Sequence, residues 1–380
     1  MRLGRVLAPS AALLCLTAAL GAVAAQSGAT PAPAAGVTVV AGGLTNPRGF
    51  AWDADGALLL ALAGNGGATR FPVAEGFTLE IGLSSSVVRI AGGCVAPVAL
   101  GLVSAKWSEP DWVWGAMDVA VLNGERYVLA SGAGPTWMSP STRSGVFRAN
   151  ADGTMTMVAD LTTWIAANPP QVVTADYNSD GSLFDLEAAG DALLLSEAVG
   201  GQVIRVAPSG EISLLADLSA QHPVPTGIAV DADGNAFVGF ESAVPYVDGS
   251  VTVVKVAPDG SVSDAWTGLT RVADVALGPD GALYAAELST GNTLEEPYVH
   301  AGTGRIVRQT GPDRLEVVAE GLDFPTGLGF GPDGALYVSG PANGSDDGDG
   351  WLARVGDGAM PANGAALPAC PPPAPATPAA

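Results

Sequence analysis

Short apolar runs separated by turn residues recur from residue 37 to residue 355 of the chain. Each repeat has one apolar run, a tight turn of the Asp-x-Asp-Gly or Gly-Pro-Asp-Gly type, and a second apolar run. Asp accepts local hydrogen bonds in such turns and Gly adopts positive φ, so each repeat predicts a β-hairpin. Five close copies and a looser one, which starts at Met117, begin at these positions: Pro47, Met117, Leu183, Pro225, Val272 and Pro325.

A third and a fourth apolar run follow each hairpin, as in residues 202–206 and 211–215. Four antiparallel strands repeated radially are typical of a β-propeller. The last repeat lacks its fourth strand, but residues 39–49 closely match residues 317–327. We therefore predict an all-β, six-bladed β-propeller over residues 37–358, in which residues 37–41 supply the outer strand of the last blade.

The predicted loops sort by length onto two faces of the ring. Connections between the first and second strands, and between the third and fourth, are short in every repeat. The long connections share the other face, which we call the long-loop face, and they cover residues 63–84, 101–114, 132–144, 160–182, 241–249, 287–303 and 340–350. Function gathers on loops held by a rigid scaffold, so this face is the candidate site.

The first 25 residues are typical of a secretory signal peptide. Arg2 and Arg5 precede an apolar run over residues 6–23, which ends at small residues. A membrane anchor, or a lipid attached to Cys15, is the alternative. We predict a linker over residues 26–36, a disordered Pro/Ala-rich tail over residues 359–380, and a secreted or periplasmic protein with no membrane span after cleavage.

The charge balance is strongly acidic, with 16 basic against 38 acidic side chains. Such a surface repels phosphate backbones, which argues against nucleic acid as a partner. The acidic side chains have two interpretations: solubility outside the cell, or loops that hold divalent cations. We expect a monomer whose partner is a small molecule, a glycan or a protein on the long-loop face.

Two cysteines remain after the signal peptide, and an even pair in an exported protein permits a disulfide. Cys94 falls in the turn between the third and fourth strands of blade one, and the tail that carries Cys370 starts next to it. An extended tail spans about 3.3 Å per residue and reaches across. A Cys94–Cys370 disulfide is one expectation, and a free thiol in the tail is the other.

The chain resembles the ScyD/ScyE family of propellers, which are encoded with scytonemin biosynthesis. The resemblance is carried by residues 39–49, by Ala-Ala-Asn-Pro at 166–169 and by the Gly-Pro-Asp-Gly-Ala-Leu-Tyr hairpins, which also occur in NHL-type repeats. It implies an exported propeller without assigned chemistry and no catalytic residue. The Asp-Ser-Asn-Pro-Tyr-Gly expected at blade three reads Asp-Gly-Ser-Leu-Phe-Asp at 180–185.

Two acidic segments could hold calcium. Asp176, Asn178 and Asp180, followed by Glu187, match the spacing of a calcium loop. Glu187 lies too far along an extended strand to close the same ion, and an Asx-rich turn is the alternative interpretation of the other three. The second segment is the loop at 343–349 with three aspartates, for which a solvated loop is the alternative: Asp346, Asp347 and Asp349.

Three further aspartates occupy one aligned position at the start of the inner strands. The six blades read, in order, Gly49, Asp118, Asp185, Gly227, Asp274 and Gly327. Six-bladed propellers of the lactonase type hold a divalent ion at such a place, and the alternative is that these aspartates are merely hydrated. Without a cation, mutual repulsion is expected to raise their pKa values.

Aromatic and imidazole side chains also fall on the long-loop face. Tryptophans crowd the loops around blade two, where they form either a floor for sugars or planar ligands or a packed cluster: Trp107, Trp112, Trp114, Trp137 and Trp164. His222 and His300 are the only histidines, and surface roles suit them better than catalysis. No basic and histidine set for a quinone cofactor is evident.

Two functional hypotheses follow. The first is a non-enzymatic exported propeller that binds a ligand or partner on its long-loop face. The second is a hydrolase or lactonase that depends on a divalent metal, with Asp118, Asp185 and Asp274 at the channel. Calcium is the one cofactor that the sequence suggests, and the ligand is not identified.

Overall fold

The computed structural model of the protein describes residues 35–74, 77–108, 112–221, 223–342, 348–359 and 365–371. Its strands form six antiparallel sheets, which confirms the predicted six-bladed propeller. The predicted signal peptide and nearly all of the predicted linker lie outside the described residues. Within the described ranges, no helix has the length and apolar character needed to cross a membrane.

The bounds of the elements follow the repeats. Strand β1 spans Ala35–Leu44 and belongs to the last blade. Blade one contains β2 (Pro47–Trp52), β3 (Leu58–Leu62), β4 (Thr69–Ala74), β5 (Phe77–Ala91), β6 (Cys94–Trp107) and β7 (Val113–Trp114). Blade two contains β8 (Ala116–Leu122), β9 (Glu125–Ala130), β10 (Gly145–Ala149) and β11 (Met155–Asp160).

The remaining four blades are simpler. Blade three contains β12 (Leu183–Ala189), β13 (Ala192–Glu197), β14 (Gln202–Val206) and β15 (Ile212–Asp217). Blade four contains β16 (Pro225–Val230), β17 (Ala236–Phe240), β18 (Val251–Val256) and β19 (Val262–Leu269). Blade five contains β20 (Val272–Leu277), β21 (Leu283–Glu287), β22 (Gly304–Gly311) and β23 (Arg314–Leu322). Blade six contains β24 (Leu328–Phe330), β25 (Leu336–Gly340) and β26 (Gly350–Ala359), with β1 outside it.

The ring closes as the sequence predicted. Strand β1 pairs antiparallel with β26, with Val37 opposite Val355 and Val39 opposite Ala353. Val37 is fully buried and packs into the apolar cluster between blades five and six. The first and last strands of the described propeller therefore share one blade, and the pairing removes the exposed edge that either strand would have alone.

Two segments that the sequence assigned to long loops are largely strands. Residues 69–85 and 102–114 continue blade one as a small sheet of β4, β7 and parts of β5 and β6, which we call the blade-one extension. Alternate side chains on one face of it are apolar, and they pack on the loop at 132–138. The prediction of loops was wrong here because the alternation of apolar side chains favours strands only when another surface covers them, and that surface comes from the next blade.

The long connection at 160–182 contains the one α-helix of the described residues, α1 (Leu161–Ala167). Asp160 caps it, with its Oδ1 accepting a hydrogen bond of 2.9 Å from the backbone N–H of Thr163. Leu161 and Ile165 are buried against blades two and three. A single 3₁₀ turn, Ser219–Gln221, precedes blade four.

A short piece of the C-terminal tail is ordered. Residues 365–371, which we call the strap, cross from β1 of blade six to β6 of blade one. The backbone N–H of Cys370 donates to the carbonyl oxygen of Val95 at 2.8 Å, and the N–H of Val95 donates to Pro368 at 2.9 Å. A side chain at Gly43 would lie 2.6 Å from the Cβ of Ala366. For the strap, the prediction of a disordered tail was therefore too broad, because its backbone pairs with both neighbouring strands.

The strap is held by the predicted disulfide between Cys94 and Cys370. These cysteines are 276 residues apart in sequence, and the bond joins the two blades that contain the chain ends. A cross-link over such a long loop restricts the unfolded chain strongly.

We predict that Cys370→Ser lowers the free energy of unfolding by about 2–5 kcal/mol, because the unfolded chain regains the freedom that the disulfide removes. Guanidinium unfolding of the wild type and the variant, each with and without dithiothreitol, measures the difference. The reduced wild type should unfold like the variant, and the variant should not respond to dithiothreitol. An unchanged wild-type midpoint under reduction contradicts the prediction.

Candidate functional site

The three aligned aspartates lie where the inner strands β8, β12 and β20 begin, on the long-loop face. Asp118 and Asp185 are only 4% and 7% exposed. Their positions in the channel confirm the alignment of the repeats. Their hydrogen bonds, however, are directed at the protein backbone.

Asp118 shows the arrangement. Its Oδ1 accepts a hydrogen bond of 2.7 Å from the backbone N–H of Val119, the next residue of its own strand. Its Oδ2 accepts one of 2.9 Å from the backbone N–H of Leu186, on the inner strand of blade three. The carboxylate therefore joins blade two to blade three.

Asp185 and Asp274 repeat this geometry. Asp185 accepts at 2.7 Å from Leu186 in its own strand and also from the backbone N–H of Ile228 in blade four. Asp274 accepts at 2.7 Å from the following residue and at 2.6 Å from the backbone N–H of Leu328 in blade six. Each of the three carboxylates thus links the inner strands of two consecutive blades.

Hydroxyl groups join the blades at the other three seams. Ser339 donates to the carbonyl oxygen of Arg48 at 2.7 Å, which links blade six to blade one. Thr226 donates to the carbonyl oxygen of Val272 at 2.6 Å, which links blade four to blade five. Ser85 of blade one accepts from the backbone N–H at the start of blade two at 2.5 Å. We call these six hydrogen bonds, one at each seam, the inter-blade ties.

A fourth carboxyl group lies in the channel near the aspartates. Burial and the negative charge of Asp185 raise the pKa of Glu187 to about 8. Burial first, and then the charge of Asp185, also raise the pKa values of Asp118 and Asp274 well above their usual range. The predicted rise is confirmed for these two aspartates, although burial contributes more than the repulsion that the sequence suggested.

The channel carboxylates do not fit a divalent ion. Both oxygens of each aspartate accept a backbone N–H, and the aligned positions in blades one, four and six are glycines, which offer no side-chain oxygen. Among the described residues, no group of three or more His, Cys, Asp or Glu side chains is arranged to hold a metal ion. A calcium or magnesium site needs about six or more oxygen ligands around one point.

The calcium-like loop at 176–180 is occupied by a residue of the neighbouring blade. Thr136 donates its side-chain hydroxyl to Asp180 at 2.6 Å and also contacts the amide oxygen of Asn178. The Asn178 oxygen also accepts the backbone N–H of Asp180 at 2.9 Å, which is an Asx turn. Asn178 and Asp180 therefore hold the loop of blade two through Thr136.

Most of the five candidate tryptophans pack against other apolar side chains. Trp137 is buried in the core of the blade-one extension, and Trp107, Trp114 and Trp164 are half-buried. The Trp114 ring lies 4.9 Å from Trp137 and 6.0 Å, edge to face, from Trp112. Trp112 is 40% exposed, so one indole of the cluster presents a large surface to solvent.

The other candidate residues do not join a common site. His300 is half-buried in the loop after β21, where its carbonyl oxygen accepts from the Thr303 hydroxyl at 2.6 Å. Asp349 is exposed, immediately before β26. The candidates that lie outside the described residues are His222, Asp346 and Asp347.

Comparison with known proteins places this geometry in context. Residues 180–343 match the model of the SMP-30/Gluconolactonase/LRE-like region, abbreviated SGL. We call these residues, which make up less than half of the chain, the SGL-type region. It covers blade three to most of blade six and includes Asp185, Glu187 and Asp274. No curated protein sequence matches the chain.

Solved structures share the fold of the SGL-type region and of the whole ring. A putative oxidoreductase (glucose dehydrogenase) from Thermus thermophilus is 16% identical, with a TM-score of 0.55 over 84% of this chain and 99% of that one. A gluconolactonase from Xanthomonas campestris is 14% identical, with a TM-score of 0.54 over 88% and 99%. Regucalcin, a calcium-binding protein from Agrobacterium tumefaciens, is 14% identical, with a TM-score of 0.52 over 90% and 99%. These identities support a common propeller fold, and the resemblance to the ScyD/ScyE family stays a prediction.

A second set of carboxyl groups on the long-loop face was missed in the sequence. Glu197 and Glu287 occupy one aligned position, the last residue of the second strand in blades three and five, and Glu241 directly follows the second strand of blade four. Alignment of the second strands, in addition to the first, reveals them. Glu241 pairs with Arg271, and Glu287 pairs with Arg305.

Among the described residues, Glu197 has no basic partner like the one that its counterpart Glu287 has in Arg305. The residue opposite it on the third strand is Gln202, where blade five has Arg305 opposite Glu287. Glu197 is fully buried and accepts backbone N–H bonds from Ser182 at 3.0 Å and Gly200 at 2.6 Å. Burial raises its pKa to about 7.

We predict that Glu197 makes the propeller less stable as the pH rises. Its folded pKa lies above the ordinary value of 4.5, so the folded protein holds the proton more tightly than the unfolded chain. Stability should therefore fall between about pH 4.5 and pH 7. In Glu197→Gln, the stability difference between about pH 5 and pH 8 should shrink by up to about 3 kcal/mol. Chemical unfolding across this range measures it.

The slope with pH is the readout, because glutamine also loses one backbone hydrogen bond at every pH. Glu125→Gln is the matched control, since Glu125 is exposed and its substitution should leave the pH slope of the wild type. A Glu197→Gln variant with the pH slope of the wild type contradicts the assignment.

Proposed function

We propose that the protein is a hydrolase of the SGL type that opens a lactone or a related cyclic ester at the central channel. The match of residues 180–343 to the SGL region is the observation that carries this proposal. The gluconolactonase from Xanthomonas campestris has the same propeller fold, which is compatible with it. The geometry adds a cluster of channel carboxyl groups inside the matched segment.

Glu187 is the residue that we assign to acid–base chemistry. It is half-buried in the channel, and in the described part of the chain its side chain forms no tie to another blade. A carboxyl group with a pKa of about 8 exchanges a proton near neutral pH. Asp185 belongs to the same inner strand and sustains that pKa through its charge.

The reaction needs one water molecule and no other reactant. Water attacks the carbonyl carbon, the bond between that carbon and the ring oxygen breaks, and a hydroxy acid forms. In the proposed role, Glu187 takes the proton from the attacking water and returns it to the departing ring oxygen. Since the channel aspartates do not fit a divalent ion, no step is assigned to a metal.

We predict that the purified protein hydrolyses at least one member of a panel of five- and six-membered lactones. Glu187→Gln should reduce kcat/KM by about 100-fold or more, because an amide cannot accept the proton of water. Release of acid, followed with a pH indicator, measures the rate.

Glu125→Gln is the matched control, since Glu125 is exposed in a turn on the opposite face of blade two. Parallel assays with EDTA and with millimolar calcium, magnesium, manganese or zinc cover the metal-dependent form of the reaction. A panel with no hydrolysis under any of these conditions contradicts the proposal.

The second candidate is a non-enzymatic binding module, the function that the ScyD/ScyE resemblance suggests. The exposed ring of Trp112 favours it, because the edge-to-face contact with Trp114 holds that ring in place. An indole with a large exposed surface suits the apolar face of a sugar ring. The occupant would be a neutral glycan, since the acidic surface disfavours anions.

For this candidate, we predict that a neutral oligosaccharide selected on a glycan array binds the wild type and that Trp112→Ala weakens the binding by about tenfold. Isothermal titration calorimetry measures the affinity. Leu83→Ala is the control, as Leu83 is also exposed on blade one. Equal affinities of the two variants would exclude Trp112 as the platform.

We also propose export to the cell exterior or the periplasm, and a monomeric state. The Cys94–Cys370 disulfide supports export, because such bonds persist in oxidising compartments. The basic, apolar and small-residue order of residues 1–25 supports it independently.

A further inference from the structure

We infer that Asp118, Asp185 and Asp274 hold adjacent blades together through their backbone hydrogen bonds and are not ligands of a divalent ion. This inference goes beyond the proposed hydrolysis and does not depend on it. Each aspartate is the third residue of an inner strand, and each directs one oxygen at the inner strand of the next blade. All three aspartates have the same hydrogen-bond geometry, so we assign the same linking role to each of them.

Two of the three glycines at the aligned position are complementary to an aspartate of the next blade. A Cβ on Gly49 would lie 1.9 Å from Oδ1 of Asp118, and a Cβ on Gly227 would lie 2.4 Å from Oδ1 of Asp274. Real Cβ atoms do not approach oxygen this closely, so the carboxylate fills the space that a side chain would need. Packing across the seams thus explains Gly49 and Gly227, whereas a Cβ on Gly327 would lie 2.7 Å from the carbonyl oxygen of Arg48.

The three seams without an aspartate tie are joined by hydroxyl groups, which also act at two of the aspartate seams through Ser131 and Ser196. Thr226 and Ser339 donate to backbone carbonyl oxygens, and Ser85 accepts a backbone N–H. If the aspartates were metal ligands, their role would not explain the hydroxyl groups at these seams. A complete set of six ties explains both kinds of residue by one requirement, which is that each blade is fixed to the inner strand of the next.

The two roles predict opposite effects of an amide substitution. In Asp118→Asn, an NH₂ group replaces one oxygen and faces a backbone N–H, so that two donors oppose each other. Loss of a charged hydrogen bond destabilises the ring. If the aspartates instead formed an empty ion site, the same substitution would relieve repulsion and raise the melting temperature in EDTA.

The experiment compares melting temperatures of the full chain in EDTA for Asp118→Asn, Asp185→Asn and Asp274→Asn. Each should melt roughly 5 °C or more below the wild type. Glu187→Gln is the matched control, because this channel acid forms no tie and its neutralisation should leave the melting temperature unchanged or higher. An Asp→Asn variant that melts above the wild type in EDTA overturns the inference.

A second measurement uses only the wild type, in case a variant does not fold. Crystals grown with manganese are measured for anomalous scattering, and melting is compared in EDTA and in manganese. An anomalous peak between the channel aspartates overturns the inference. A channel without such a peak, in a protein whose melting temperature EDTA leaves unchanged, supports it. Either result is independent of lactone hydrolysis, so failure of the proposed function leaves this test intact.

Discussion

Closure of the ring is the constraint on which the rest of the structure depends. A propeller is stable only if every blade meets two neighbours, and the last seam must join distant parts of the chain. Here that seam has three independent connections: the β1–β26 pairing, the strap with its disulfide, and the hydrogen bond from Ser339 to Arg48. The strand pairing and the strap connect the outer strands, and the Ser339 hydrogen bond connects residues beside the channel. The seam is therefore held at both its outer and its inner edge.

The inter-blade ties also determine the electrostatics of the channel. Carboxylates that accept two backbone N–H groups must stay buried, and burial makes their negative charge costly. Because Asp185 lies beside Glu187, the group that links blades three and four also raises the pKa of a channel acid that has no tie of its own. Ring stability and the acidity of Glu187 are therefore coupled through a single side chain.

The sequence predicts the elements that depend on local pattern. The hairpin turns, the six blades, the closing strand at residues 37–41 and the reach of Cys370 to Cys94 follow from turn chemistry, repeat alignment and chain length. The blade-one extension does not, because its strands are defined by packing against Trp137 in another blade. The contacts of the calcium-like loop at 176–180 also depend on distant residues, since the oxygens of Asn178 and Asp180 accept from Thr136, which lies 42 and 44 positions away in the chain.

The channel residues show where sequence alignment identifies a position but not its role. The column of Asp and Gly at the inner strands was visible, yet a carboxylate that binds an ion and one that accepts backbone N–H groups look the same in sequence. The difference lies in the partner, which belongs to the next blade. Likewise Glu197 and Glu287 are equivalent in sequence, and only the residues opposite them, Gln202 and Arg305, make one a buried uncompensated acid and the other half of an ion pair. In a repeat protein, therefore, the chemistry of an aligned position is determined by the contacts that each of its residues makes. The carboxyl groups make the channel acidic, and an acidic channel admits a neutral substrate such as a lactone more readily than an anion.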